Sequence, residues 1–521
     1  MEVEDSNKDE KKYKLLVKES SGSISDAKLG RISENTEEKL LNVEEEKPKE
    51  TKKVGSIQTI FSIWNTMIGS SIVSIPYNVY CAGIIPTVII GLVYGYICYF
   101  TCYVVVRLGC KEEEYGNVVY NYFNYGFGKK YAQIGRIMQI TFNLMINIGA
   151  TFVYFLIINQ NLYPCLCLFL RIFNYDLNED DLTPYFNKFS LFYCALIVSV
   201  VVFPLLILKE MSFLVKFNSY GIYFVSVLLI FVIYTGISTL AKDTIHFAYK
   251  ENIEGNKDRN LFLFGENPGI LTGTLSLGLF CHSVILPLLK NNRLQQNNQR
   301  DLFCGYICVT LTYIIIGIMG YIGFSGSEFS SDFKDNWFRF FKSDNIFILI
   351  LRILNVIQLV SIFPILFFVV RTQLFTTFCQ KYLKSMPHII MFSLILLFFC
   401  ILILYFCYNI LGVLIGFIGA STALVLIYSI APITNMIYYY IRHQTREEVL
   451  KIIEAKRAES ADTDETQIFP DNLKEPRPLR PVRAFFFYSS MVLIIFVGIF
   501  TFALQFVKVN FFNIHIEKVD K

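Results

Sequence analysis

Charge is what this sequence has least of. Only 17% of its 521 residues are Asp, Glu, Lys or Arg, where an ordinary soluble chain carries about a quarter. No CxxC pair and no His/Cys grouping occurs among the 13 Cys, so nothing signals a thiolate metal site and the cysteines read as packing residues. Cys165 and Cys167 fall near one membrane face, where they can join a disulfide. No Asn-x-Ser/Thr sequon occurs, so the loops lack the usual glycan acceptor. No apolar leader opens the chain. Against these absences stands an apolar excess of 54%, with 49 Phe and 32 Tyr and a mean hydropathy of +0.46. A soluble chain of this length could not hide that much apolar surface. The balance excludes a soluble enzyme, a disordered protein and a nucleic-acid binder, and points to an all-α polytopic membrane protein.

Runs of roughly 17–25 mostly apolar residues can cross a bilayer as helices. Eleven are expected, near 57–80, 84–107, 135–160, 189–208, 212–240, 269–290, 303–324, 345–372, 388–408, 410–440 and 484–507. The split between the ninth and tenth falls around Tyr408-Asn409. The runs are continuously apolar, which disfavours a lipid-facing barrel. Residues 1–54 are rich in Lys, Glu, Asp and Ser and read as a disordered tail. With the tail and the charged 442–483 loop on one side, the segments of that side hold 34 of the 47 Lys and Arg, so the N-terminus is expected in the cytosol. Helix eleven then leads to a lumenal or extracellular C-terminus, 509–521.

Charge is nearly excluded from the spans themselves. No Asp or Glu lies deep in any of them, and His282 and Arg352 are the titratable or charged candidates for a transport path. Polar neutral residues enter instead. The first span holds Asn65, Thr66, Gly69, Ser70 and Ser71 within seven residues. These are poor helix formers, each for its own reason. Together they let a helix unwind at mid-membrane, exposing carbonyls for a cation and N–H groups for a carboxylate. Close helix packing through small residues is the other reading of the same composition. The sixth span repeats the pattern with Thr272, Gly273, Thr274, Ser276 and Gly278, read as a second break. Breaks five spans apart are what an inverted five-helix repeat predicts, 57–240 and 269–440, with helix eleven appended. In the eighth span Asn355, Gln358 and Ser361 share one helix face. They can complete an ion site or make interhelical hydrogen bonds.

Three stretches carry a resemblance: WNTMIGSSIVSIPYNVYCAG, FCHSVILPLL and LLKNNRLQQNNQRDLFCGYICVTLTYIIIGIMGY. They resemble the amino acid/auxin permease family, within it the sodium-coupled neutral amino acid transporters, and most closely their lysosomal arginine-sensing branch. The resemblance implies eleven transmembrane helices in an inverted, LeuT-like repeat with discontinuous helices 1 and 6, working by alternating access across 55–508. It implies a Na+ site at Asn65, the Met67 carbonyl and Ser361. It implies an amino acid site at Thr66, Met67, Gly69, Ser70 and Ser71, where Ser71 replaces a Gly of many plasma-membrane relatives. Gly273, Thr274 and Ser276 of the second break join that site. His282 falls on a common span-six His, with a modulatory or a packing role. Na+ is the expected coupling ion, with no cofactor. A lysosomal or vacuolar membrane is favoured over the plasma membrane. The alternatives are an amino acid sensor signalling to a cytosolic partner through residues 1–54, and a proton-coupled transporter.

Overall fold

The computed structural model describes residues 55–506 apart from 70, 110–113, 174–176, 178–180, 185, 187, 209–220, 243–245, 249–259, 291, 325–335, 341–345, 379–384, 409–410 and 444–480. The expected tail, most of the 442–483 loop, residues 509–521 and Ser70 therefore lie outside the described residues.

The first expected span divides into α1 (Ser56–Met67) and α2 (Ser71–Ala82). α3 (Ile84–Leu108) follows after Gly83, whose φ of 88° suits glycine. A side chain there would also strike the Leu263–Gly265 backbone, which crosses this turn. That segment pairs with it through Ile85 N–H to the Leu263 carbonyl (3.1 Å) and Gly265 N–H to the Ala82 carbonyl (2.9 Å). Hydropathy alone misses α4 (Tyr115–Phe127), an amphipathic helix in which Asn117, Asn121 and Asn124 line the face opposite the buried Tyr115, Val118, Val119 and Tyr122 and so interrupt the apolar run along the sequence. α5 (Lys129–Arg171) is 43 residues long, or about 65 Å at 1.5 Å per residue, well beyond a bilayer core of about 30 Å. α6 (Leu191–Leu206), α7 (Gly221–Lys242) and a short parallel pair, β1 (His246–Ala248) and β2 (Asn260–Phe262), complete the first half.

The sixth expected span also divides, into α8 (Pro268–Gly278) and α9 (Ile285–Lys290). α10 (Asn298–Phe324), α11 (Ile346–Phe378) and α12 (Met386–Cys407) follow. α13 (Leu411–Val425) runs through a π-helical stretch, Leu426–Ile430, into α14 (Ala431–Arg442). Pro432 explains the π stretch, because it has no N–H to give the carbonyl four residues back. The split around Tyr408-Asn409 holds, since α12 ends at Cys407 and α13 begins at Leu411. α15 (Pro481–Leu504) is last. Among the described residues, eight helices are long and apolar enough to cross a membrane. Cys165 and Cys167 are free cysteines, and the Cys165 thiol donates to the Asn161 carbonyl at 3.3 Å.

α5 packs chiefly along α11, α7 along α10, and α8 along α13. Large apolar side chains such as Leu394, Phe398 and Phe496 face outward, as they do in lipid. Buried charge is covered by carbonyls. Arg371, near the end of α11, donates to the Leu206 (2.9 Å) and Leu208 (2.7 Å) carbonyls at the end of α6. A cation is favoured at that pole of a helix, where carbonyls lack intrahelical donors. Arg371→Met keeps the stem but removes the donors. It is expected to cost about 1–3 kcal/mol, read as a lower melting temperature in detergent. An unchanged melting temperature would show that the α6 end needs no cap from α11.

Candidate functional site

The first break lies between Met67 and Ser71, where Ile68 and Gly69 are outside both helices. Ile68 N–H closes the last turn of α1 on the Trp64 carbonyl at 3.0 Å, and Ile68 itself is extended (φ −79°, ψ 97°). The last carbonyls of α1 then have no helical donor, and α10 supplies one. The Tyr313 hydroxyl donates to the Met67 carbonyl at 2.8 Å, with the Ser71 hydroxyl and Gly69 backbone also in reach. Tyr154 of α5 sets its hydroxyl against Gly69, where any Cβ would collide with it. Asn65 is buried, and its amide lies over Gly221 at the start of α7, where a Cβ would stand 3.1 Å from it. Thr66 turns away, donating to the Ser62 carbonyl of its own helix at 2.7 Å. Asn65, Met67, Gly69 and Ser71 therefore lie beside the break, while the Thr66 hydroxyl serves α1.

The second break is later than its composition indicates. Thr272 to Gly278 remain helical in α8, and the chain leaves the helix over 279–284. Gly273 faces the Gly416 carbonyl, and Gly419 faces the Gly273 carbonyl, so close so that neither position admits a side chain. The small residues here serve helix packing. Ser276 donates to the Thr272 carbonyl (2.8 Å) and pairs with the Tyr428 hydroxyl of the π stretch (3.0 Å). The Thr274 hydroxyl is buried and has no hydrogen-bond partner among the described residues. At the break itself, Tyr306 of α10 donates to the Leu279 carbonyl at 3.1 Å. His282 Nε2 pairs with the Thr101 hydroxyl of α3 at 2.9 Å, and its ring stacks on Phe280.

On α11, Ser361 is buried and donates to the Gln358 carbonyl at 2.7 Å. The side-chain amides of Asn355 and Gln358 are buried without a hydrogen-bond partner among the described residues. Buried amides left so are costly and fit a helix face that meets water or a polar solute. One turn earlier Arg352 donates to the Phe338 carbonyl at 2.9 Å. That carbonyl belongs to a 3-10 turn, Trp337–Phe340, tucked into the bundle. Trp337 stacks on Phe324, and Asn336 donates to Gln160 Oε1 at 3.0 Å. Among the described residues no group of three or more His, Cys, Asp and Glu is placed to hold a metal ion.

Sequence reasoning missed Tyr154, Tyr306, Tyr313 and Tyr428. Each looks ordinary in a chain with 32 Tyr. The seven-residue spacing of Tyr306 and Tyr313 was the available signal, because it puts both on one face of α10.

A family model described as transmembrane amino acid transporter protein matches residues 52–454. The chain belongs to this family. It is 28% identical to the neutral amino acid transporter 9 of Xenopus tropicalis over 444 residues, 76% of each chain. It is 25% identical to the sodium-coupled neutral amino acid transporter 9 homolog of Caenorhabditis elegans over 426 residues, 73% of this chain and 67% of that one. To the sodium-coupled neutral amino acid symporter 2 of Danio rerio it is 23% identical over 385 residues, 71% of this chain and 73% of the other. The solved inward facing conformation of Mhp1 aligns with a TM-score of 0.51 and 9% identity, covering 87% of this chain and 90% of that one. This likeness bears on the fold alone. The relatives are transporters, not enzymes.

For this amino acid transporter family member, the Gly69–Tyr154 contact gives a direct test. Gly69→Ala is expected to cost about 1–3 kcal/mol through overpacking. Adding Tyr154→Phe, which removes the colliding oxygen, recovers part of that loss. Melting of the purified variants checks it, and equal losses in both backgrounds would remove the contact as the cause.

Proposed function

We propose that the chain is a secondary active transporter that moves amino acids by alternating access, coupled to Na+. The observation that carries this reading is the break at Ile68 and Gly69, beside which Asn65, Met67 and Ser71 are buried. A zwitterion in a membrane interior needs both of its charges met. Backbone N–H groups at the start of α2 suit the carboxylate, and the carbonyls ending α1 suit the ammonium. For Na+, the Asn65 amide oxygen, the Met67 carbonyl and the Ser361 hydroxyl form a set of hard oxygen donors. In this conformation Tyr313 already holds one lone pair of the Met67 carbonyl. The names of the relatives, sodium-coupled and neutral amino acid transporter, support both halves of the reading.

Joining the eight long helices to the two broken pairs and the 16-residue α6 gives eleven passages. The breaks fall in the first and sixth of them, which supports the inverted repeat. The excess of Lys and Arg on the side of the tail and the 442–483 loop supports a cytosolic N-terminus, and likeness to the arginine-sensing branch supports a lysosomal or vacuolar membrane. The charged composition of residues 1–54 favours a second reading, a sensor whose tail recruits a cytosolic partner. Removing those residues separates the two, since a sensor loses recruitment while a transporter keeps its flux. A proton-coupled mechanism is disfavoured by the engagement of His282 with Thr101 and Phe280.

Uptake of each amino acid into proteoliposomes, with and without a Na+ gradient, tests the proposal. Asn65→Ala and Ser361→Ala are each expected to weaken Na+ activation about tenfold, the loss of about 1.4 kcal/mol of ion binding. Uptake indifferent to Na+ in the wild type, and unchanged in both variants, would remove the coupling.

A further inference from the structure

The connection from α9 to α10 contains a closed knot of polar side chains. Asn292 and Asp301 are both 0% exposed, although the loop between them is open to solvent. Asn292 Nδ2 donates to Asp301 Oδ2 at 3.0 Å and to Asn298 Oδ1 at 2.8 Å. Its Oδ1 accepts from Leu294 N–H at 3.2 Å, an Asx turn that fixes the loop. Asp301 Oδ1 accepts from Arg300 Nε (3.2 Å) and Nη2 (3.0 Å), and Arg300 reaches it from the surface, 60% exposed. Gln295 Nε2 lies within 3.0 Å of three carbonyls, those of Leu289, Lys290 and Asn292. Gln295 therefore caps the end of α9, and its own oxygen accepts from Asn298 Nδ2 at 2.8 Å.

The position of the knot gives it a task. α9 is six residues long, too short to hold its geometry alone. Its chief packing neighbours are α1 and α3, so its fastening to α10 falls to side chains. Tyr306 holds the Leu279 carbonyl and the Cys281 thiol above α9, and Asp301 holds Asn292 below it. α8, on the far side of the break, is seated instead on α13 through Gly273 and Ser276. We propose that Asp301 is a positioning residue for transport. With Asn292 and Gln295 it fastens α9 to α10, so that the two travel as one piece and the bending of the broken helix is confined to 279–284. This inference rests on the transport reading above.

The full-length protein in proteoliposomes tests it. Asn292→Asp sets two carboxylates face to face, and Asp301→Ala removes the acceptor. Each is expected to lower the maximal uptake rate about tenfold while leaving the equilibrium dissociation constant of the substrate within about twofold. The exchanged pair Asn292→Asp/Asp301→Asn restores one donor opposite one acceptor and is expected to recover most of the rate. Hydrogen exchange of the 285–290 amides, which needs no transport, is expected to quicken in each single variant and slow again in the exchanged pair. Asn298→Ala, at the rim of the knot, gives a milder form of the same quickening and serves if the buried variants do not fold. An exchanged pair no better than Asn292→Asp, or 285–290 amides indifferent to all these changes, would overturn the fastening. Substrate affinity falling in step with rate would overturn a positioning role. If the wild type moves no amino acid, the transport reading fails, and the exchange data still decide whether Asp301 holds α9.

Discussion

A backbone carbonyl or N–H inside a membrane has no water to fall back on, so every interruption of a helix must be covered by another part of the protein. That constraint governs this molecule. Two helices are broken, and each break is covered by hydroxyls from neighbouring helices. Tyr313 takes the Met67 carbonyl at the first break and Tyr306 the Leu279 carbonyl at the second. Both come from α10. The same helix receives Ile63 of α1 at Gly305, Val79 of α2 at Gly317 and Pro76 of α2 at Gly320. Its glycines let the broken pair approach, and its tyrosines satisfy what the approach exposes. In lipid, where apolar association gains little, such close packing and polar pairing hold helices together.

The few buried charges obey the same rule. Arg352 and Arg371 are each held by main-chain carbonyls, and Asp301 by the Asn292 amide and the Arg300 guanidinium. The arginines serve neighbouring segments that end short of a complete helix. Scarce charge is thus spent where backbone needs donors, and the two breaks are left to neutral amides, hydroxyls and carbonyls.

The sequence made the spans and the first break legible because both depend on local composition. Apolar length marks a span, and Asn-x-x-x-Gly-Ser-Ser marks backbone that gains little from being helical. The second break was misplaced by the same logic. Gly273 and Thr274 look like a second weak point, yet α8 keeps its helix there because Gly273 must meet the backbone of α13 at Gly416 and Gly419. Small residues permit unwinding and close packing alike, and only the partner helix decides between them. The true break, 279–284, carries Phe280, Cys281 and His282, none of which is a helix breaker. Asp301 lies two residues before the expected seventh span, but α10 begins at Asn298 and buries it. The amphipathic α4 escaped because its apolar face is too short and too interrupted for a hydropathy window.

The two halves of the sixth helix differ in what holds them, and that difference locates the flexible point. α8 meets α13 backbone to backbone, and the π stretch of α13 turns Tyr428 to bond Ser276. α9 has no comparable glycine seam; α10 holds it just past its C-terminal end through Asp301 and Asn292, while Tyr306 holds Leu279 and Cys281 in the break before it. Close-packed glycine contacts resist sliding, because any displacement brings atoms into overlap. Side-chain hydrogen bonds fix the attachment of a short helix without closing a main-chain seam, so the chain before it can still change its dihedrals. A fold that anchors one half helix by contact and the other by tether confines bending to the residues between them, 279–284, where the Tyr313 ring at Gly278 also reaches across to the first break. One uncharged side chain thereby touches the edges of both breaks.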